Sequence, residues 1–142
     1  MDMIDRQIVK CLQKNGRISI KKLSEIVCLT PPAVAERIRK LEEANVIMGY
    51  RAVINPQKIG MNIEALINIT LKAGKRKEFI DFVRKSKCIV KCYHVTGGFS
   101  MTVKVIVKET SELETLVGKI QQYGNTQTLI ILSTIIEHKG IV

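Results

Sequence analysis

Residues 19–45 have the sequence SIKKLSEIVCLTPPAVAERIRKLEEAN, and their spacing predicts two helices joined by a very short turn. Ser19 is a favourable helix N-cap. After only Cys28 and Leu29, the pair Thr30-Pro31 supplies a second N-cap followed by proline at the first helical position. Asn45 tolerates the left-handed backbone that ends a helix. The apolar residues of both helices recur at helical spacing: Ile20, Leu23, Ile26 and Val27, then Val34, Ile38 and Leu41.

A third helix is predicted upstream of this pair. Asp2 is its N-cap, Asn15-Gly16 ends it, and one face carries Ile4, Ile8, Val9 and Leu12. Downstream, residues 46–61 are expected to form a wing-like strand and a connector, which Asn55-Pro56 punctuates and Gly60 closes. The expected domains are therefore a winged helix-turn-helix over residues 1–60 and a second domain over residues 61–142.

The second domain shows the order β-α-β-β-α-β, in which strand and helix periodicities alternate. The first predicted elements are a strand over Ile63–Leu71 and a helix marked by Phe79, Phe82 and Val83. Two strands follow over Ile89–Thr96 and Ser100–Val107, joined by a turn at Gly97-Gly98-Phe99. The last two elements are a helix that starts with a Ser111/Glu114 capping box and ends at Gly124, and a strand over Thr128–Ile136. This order indicates a ferredoxin-like antiparallel sheet with helices on one face. The fold class is α+β.

The last predicted strand is apolar on both sides, since Leu129, Ile131 and Ile135 alternate with Ile130, Leu132 and Ile136. A strand half exposed to water would alternate apolar and polar residues instead. We therefore expect the uncovered face of the sheet to pair with a second copy of the chain, giving a homodimer.

Charge favours a polyanionic partner, because 23 Lys and Arg against 13 Asp and Glu give a net charge of +10. The first turns carry charged side chains where a secretory signal would be apolar, and no stretch approaches the ~20 apolar residues of a membrane helix. A cytoplasmic, nucleoid-associated protein is expected. The four cysteines contain no CxxC pair, and buried thiols are favoured over a zinc site built from Cys88, Cys92, His94 and His138.

The outward face of the 31–44 helix is the predicted surface for double-stranded DNA, because the first turns of such a helix enter the major groove. The base-proximal candidates are Thr30, Pro32, Ala33 and Glu36, and the phosphate-contacting candidates are Arg37, Arg39 and Lys40. The alternative is that these basic residues are a solvated helix face with Glu42 and Glu43 as salt-bridge partners.

The first sixty residues resemble the DNA-binding half of the Lrp/AsnC family. The matching pieces in register are Asp2 and Asp5, Gly16-Arg17-Ile18-Ser19, Leu29-Thr30-Pro31, Arg37-Ile38 through Leu41-Glu42, Ile47 through Tyr50, and Asn55-Pro56 to Gly60. Cys28 stands where the family usually has glycine, and Asn45 stands where it often has glycine. The second half is similar to the family's C-terminal domain. The resemblance implies a transcriptional regulator that dimerises through its sheet, assembles into octamers and binds a free amino acid between subunits.

The resemblance places the effector loop at Gly97, Gly98, Phe99 and Ser100. Many effector-responsive members have Asp where this chain has Ser100, so an effector ammonium would lack a charged partner there. The alternative for Gly97-Gly98 is simply a tight turn.

Several functions compete with that of a sequence-specific, amino-acid-modulated regulator. One is an effector-independent architectural protein that bends or wraps DNA. Another is a binding module whose helix-turn-helix has lost its DNA. A remote one is a haem-precursor decarboxylase of the same fold, for which only His94 and His138 could serve. We expect no enzyme, cofactor or metal, because no catalytic motif occurs.

Overall fold

The computed structural model describes all 142 residues, which form two compact units. The first comprises Met1–Val53 together with Ile136–Val142, and the second comprises Ile54–Ile135. The predicted division lies between residues 60 and 61. In the structure the connector belongs with the second unit, and the last seven residues lie in the first, where the Val142 N–H donates to Gln13 Oε1 over 3.2 Å.

The first unit contains three helices, and it has its own apolar core. They are α1 (Met3–Lys14), α2 (Ile20–Val27) and α3 (Pro31–Glu43). The predicted apolar faces of α1 and α3 are confirmed, because Ile8, Val34 and Leu41 are buried together. On α2 the prediction is half right: Leu23 and Val27 are buried and Ile20 and Ile26 are exposed, since one narrow stripe of this eight-residue helix faces the core.

The wing strand predicted within residues 46–61 is wrong for this chain, because no strand forms there. The residues after α3 are instead fixed by the Tyr50 hydroxyl, which donates to Glu42 Oε1 over 3.0 Å. A single 3-10 turn, Gln57–Ile59, follows an Asx turn in which Asn55 Oδ1 accepts from the Gln57 N–H. Val46 and Ile47 form a bend instead, and residues 48–55 have no regular secondary structure, because a strand also needs a hydrogen-bonded partner that an apolar pattern alone does not supply.

The second unit is a four-stranded antiparallel sheet with two helices on one face, as predicted. Its elements are β1 (Ile63–Leu71), α4 (Arg76–Lys85), β2 (Ile89–His94), β3 (Met101–Val107), α5 (Thr110–Ile120) and β4 (Gly124–Ile130). The strand order is β2-β3-β1-β4, the ferredoxin-like arrangement. Alternate residues of β1 and β3, among them Ile67 and Val103, are fully buried against Phe79 of α4 and Ile120 of α5.

Two predicted boundaries in this unit are wrong. Helix α5 starts earlier than the proposed capping box, with Glu109 as N-cap, and the Ser111 hydroxyl donates to Glu109 over 2.7 Å rather than capping. The last strand runs from Gly124 to Ile130 instead of Thr128–Ile136. Gly124 does not end a helix. It opens β4, because a Cβ placed there would lie 2.1 Å from the carbonyl oxygen of Thr70 on β1.

No helix of the chain is both long enough and apolar enough to cross a membrane.

Candidate DNA-binding surface, effector loop and sheet face

The turn between α2 and α3 is closed by Cys28, which adopts a left-handed backbone at φ 54°. Its N–H donates to the Ser24 carbonyl, as is usual for a residue that ends a helix in this conformation. Ser19 caps the other end of α2 by accepting from the Lys22 N–H over 3.1 Å. The predicted helix, tight turn and helix are therefore present, although the turn residue is a cysteine rather than a glycine.

Arg37 clamps α3 to the N-terminus of α1. Its Nη1 donates to Asp2 Oδ2 and to Asp5 Oδ1, each over 2.7 Å. The two residues also form a capping box, in which the Asp2 carboxylate accepts from the Asp5 N–H and the Asp5 carboxylate accepts from the Asp2 N–H. The backbone N–H of Asp5 and then the Arg37 guanidinium hold the pKa of the Asp2 carboxyl below its ordinary value, and the same carboxylates raise the pKa of Arg37. Contact of Arg37 with a phosphate stays a prediction, beside this clear structural role.

The exposed face of α3 carries a row of charged side chains that interact with one another. Arg39 forms a bidentate pair with Glu36, with Nε–Oε2 at 2.8 Å and Nη2–Oε1 at 2.7 Å, and also contacts Glu43. The guanidinium lowers the pKa of the Glu36 carboxyl, and the carboxylates raise that of Arg39. Lys40 lies 3.7 Å from Glu36 and is otherwise free. Of the three predicted phosphate ligands, Lys40 is the most available.

The Thr30 hydroxyl, at the start of α3, does not hydrogen-bond to the N-terminal N–H groups of that helix. Thr30 has the extended backbone of an N-cap but makes no side-chain capping bond. Thr30, Pro32 and Glu36 are exposed and Ala33 is half-buried. All four predicted base-proximal residues thus lie at least partly exposed at the start of α3, and their contact with bases stays a prediction.

The predicted effector loop lies at the end of the β2–β3 hairpin. Gly97 has φ 103°, a backbone that favours glycine. Ser100 is engaged with β1: its N–H donates to the Ile69 carbonyl over 2.8 Å, and its Oγ accepts from the Leu71 N–H over 3.2 Å. The Thr70 hydroxyl donates to the Gly98 carbonyl over 3.2 Å. The loop is therefore held against β1, while Phe99 is only half-buried.

The sheet face away from α4 and α5 combines a polar ladder with apolar side chains. The Thr102 hydroxyl donates to Asn68 Oδ1 over 2.8 Å, and Asn68 Nδ2 donates to Gln127 Oε1 over 3.3 Å, so three strands are linked. Leu66 and Leu129 are direct cross-strand partners beside this ladder. Beyond β4, Leu132 and Ile135 are 95% and 89% exposed. This much uncovered apolar surface is typical of an interaction site.

The thiols and imidazoles do not converge. No group of three His, Cys, Asp or Glu side chains is arranged to hold a metal ion. All four cysteines are free, and burial raises the pKa of the Cys92 thiol. His94 Nδ1 lies 3.5 Å from Arg76 Nη2.

Sequence reasoning missed the Arg37 clamp and the Asn68 ladder. Both join residues that are far apart in the chain, 35 residues for Arg37 and Asp2 and 59 for Asn68 and Gln127. The ladder had one available signal, the polar residues that alternate with the apolar positions of β1.

Comparisons with known proteins match both units. A model of the AsnC-type helix-turn-helix domain matches residues 1–42, and a model of the Lrp/AsnC ligand binding domain matches residues 64–141. The chain is 38% identical over 135 residues to the HTH-type transcriptional regulator FL11 of Pyrococcus furiosus, covering 93% of this chain and 89% of that one. It is 33% identical over 149 residues to the leucine-responsive regulatory protein of Escherichia coli, covering 100% and 91%.

Solved structures show the same two-unit architecture. Bacillus subtilis LrpC superposes with a TM-score of 0.91 at 28% identity, covering 97% of this chain and 99% of that one. A transcriptional regulator of Neisseria meningitidis in complex with L-Met superposes with a TM-score of 0.91 at 25% identity, covering 96% and 93%.

Proposed function

The chain belongs to the Lrp/AsnC family of DNA-binding transcriptional regulators, and from that premise we propose which of its surfaces bind DNA, a second copy and an effector. The recognition surface is the outward face of α3. The observation that carries this is the exposed first turn of α3, with a Thr30 hydroxyl that makes no capping bond. Such a helix enters the major groove, where a hydroxyl can hydrogen-bond to either a donor or an acceptor group on a base edge.

Thr30→Val tests this surface, because valine keeps the shape of threonine and removes only the hydroxyl. A neutral hydrogen bond contributes about 1 kcal/mol, so affinity for the preferred duplex, meaning the DNA sequence that the wild-type protein binds most tightly, should fall about fivefold. Melting temperature should not change, since no cap is lost. Unchanged affinity in a fluorescence anisotropy titration would contradict a role for Thr30.

Lys40→Gln tests the phosphate contact on the same helix. Removing one phosphate contact should make the slope of log K against log salt shallower by about 0.9 per contact, on preferred and scrambled duplexes alike. Lys10→Gln is the matched control, since Lys10 is an exposed lysine on α1 of the same unit. Equal slopes for the two variants would refute the assignment of Lys40.

Dimerisation uses the sheet face that α4 and α5 leave open. Leu66 and Leu129 face the partner, and the exposed Leu132 and Ile135 extend the surface. Leu129→Asp should convert a dimer or larger assembly to monomer in sedimentation velocity at micromolar concentration, because a buried charge would lack a partner. Thr115→Asp puts the same charge on α5 and should leave the assembly intact. A monomeric wild-type protein would refute the interface.

Amino-acid modulation is supported by the L-Met complex of the structural neighbour and the leucine response in the name of the Escherichia coli relative. The effector loop is Gly97, Gly98, Phe99 and Ser100. Titration calorimetry with L-methionine and L-leucine should show binding, and Gly98→Leu should abolish it by filling the loop. Gly98 has open space around it, so this variant should fold.

The second candidate function is that of an architectural protein, which bends or wraps DNA without an effector, and Ser100 favours it. Its hydroxyl is already bonded to the Leu71 N–H and carries no charge for an effector ammonium. No heat with any amino acid, together with equal affinity for preferred and scrambled duplexes, would establish this role instead. We assign the chain to the cytoplasm and nucleoid, without catalytic activity, as part of the same proposal.

A further inference from the structure

The second unit carries an excess of positive charge on one helix and its flanks. Residues 75–87 contain six basic and two acidic side chains, whereas the rest of the unit, residues 54–74 and 88–135, contains six basic and four acidic ones. Four of the unit's six surplus positive charges therefore lie on α4 and its two flanking lysines, outside the helix-turn-helix and outside the sheet face.

The charges on α4 are exposed and unneutralised. We define the α4 basic face as the exposed side chains Arg76, Lys77, Arg84, Lys85 and Lys87. None of the five makes an ion pair, whereas the neighbouring Lys75 is paired with Glu78 at 2.9 Å. Arg76, Lys77 and Arg84 surround one shallow depression with Asp81 and the half-buried Ile80. Unpaired basic side chains that converge in this way create a positive potential over several ångströms of surface.

The chemistry of this face fits the phosphates of duplex DNA. Its exposed residues include no aromatic ring on which an unpaired base could stack, which disfavours single strands. They also include no large apolar centre of the kind found in a protein interface. Lys77 and Arg84 lie seven residues apart, about 10 Å along the helix axis at ~1.5 Å per residue. Phosphates of one DNA strand advance by about 3.4 Å per step, so the pair spans about three steps.

We propose that the α4 basic face is a second DNA contact surface, which binds backbone phosphates of the duplex outside the site that α3 occupies. This rests on the DNA binding assigned above, because α3 holds the duplex on the same molecule and raises its local concentration at α4. The surface contributes affinity and salt dependence without sequence preference, since phosphates carry no sequence information.

The test compares two duplexes and two double variants of the full-length protein. One duplex is about 20 base pairs and holds only the preferred site, and the other extends it to about 60 base pairs. Lys77→Gln/Arg84→Gln neutralises the α4 basic face. Lys58→Gln/Lys108→Gln removes two exposed charges elsewhere in the same unit. Far-UV circular dichroism establishes that both variants fold, and Lys85→Gln/Lys87→Gln provides an independent variant of the face.

On the long duplex, the face variant should show a salt slope shallower by about 0.9 for each lost phosphate contact, or about 1.8 per subunit. On the short duplex, which offers few phosphates beyond the preferred site, the reduction should be smaller. An unchanged slope on the long duplex, or an equal reduction in the Lys58/Lys108 control, would overturn the proposal. Failure of the wild type to bind the short duplex would instead contradict the assignment of α3, so the two failures are distinguishable.

Discussion

Gly124 provides a sharp test of the sheet, because two Gly→Ala substitutions in this unit should have opposite effects. A Cβ at Gly124 would lie 2.1 Å from Thr70 O, 2.8 Å from Thr70 C and 2.9 Å from Leu71 Cα, all of them backbone atoms. Ordinary contact requires 3.4 Å or more, so the start of β4 must move by about 1.3 Å away from β1. Flexible side chains cannot absorb this shift, because none is involved.

The cost follows from what that movement breaks. The bond from the Lys72 N–H to the Tyr123 carbonyl is 2.9 Å long beside Gly124 and would lengthen to about 4 Å. A lost hydrogen bond costs about 0.5–1.5 kcal/mol and overpacking about 1–3 kcal/mol, which together give about 2–4 kcal/mol. For a unit of this size each kcal/mol lowers the melting temperature by about 4–8 °C. Gly124→Ala should therefore lower the melting temperature of the second unit by about 8–32 °C.

Gly118→Ala is the matched control. Gly118 lies within α5, is exposed and has nothing within 4 Å of a built Cβ. Alanine there should raise the free energy of unfolding by up to about 1 kcal/mol, because glycine is the poorer helix former. Differential scanning calorimetry of the full-length protein measures both effects. A Gly124→Ala protein that melts within about 3 °C of the wild type would refute the close approach of β4 to β1.

Three further outcomes are expected. Phe79→Ala should destabilise the second unit by about 3–5 kcal/mol in calorimetry, because the fully buried ring packs at 5.7 Å from Tyr123, and a loss below about 1 kcal/mol would contradict this core. Because the pKa of Asp2 is lowered in the folded protein, its carboxylate stabilises the first unit at pH values above about 4, the ordinary pKa of an aspartate, and this contribution is lost as the pH falls through the folded-state pKa. An acid titration followed by helical circular dichroism should therefore show a loss of helix at low pH that is missing in Asp2→Asn. Exposed Cys28 should react with a thiol reagent at neutral pH before Cys92, whose pKa is raised by burial; mass spectrometry that finds Cys92 labelled first would contradict this.

The sequence predicted those parts of the fold that depend on local periodicity. The N-cap at Ser19, the proline at the start of α3 and the alternation along β1 each determine backbone conformation within a few residues, so they could be found without the structure. The left-handed backbone of Asn45, at φ 55°, was predicted in the same way.

The errors arose where distant residues determine the structure. The start of β4 depends on a close approach between Gly124 and Thr70, and an apolar run further along the chain suggested the wrong strand boundary. Local spacing also put Arg37 among the predicted phosphate contacts, whereas the structure places it against two carboxylates of α1. The candidate DNA surface was thus predicted as a helix face, but the division between structural and free charges on it required the folded chain.

The most direct test of the central assignment is an anisotropy titration of the full-length protein on the duplex upstream of its own gene, beside a scrambled duplex of equal length. Reading of bases by α3 predicts that the natural duplex binds at least about a thousandfold more tightly at the same salt concentration. Equal, salt-sensitive affinity for the two duplexes would contradict sequence-specific recognition by this helix.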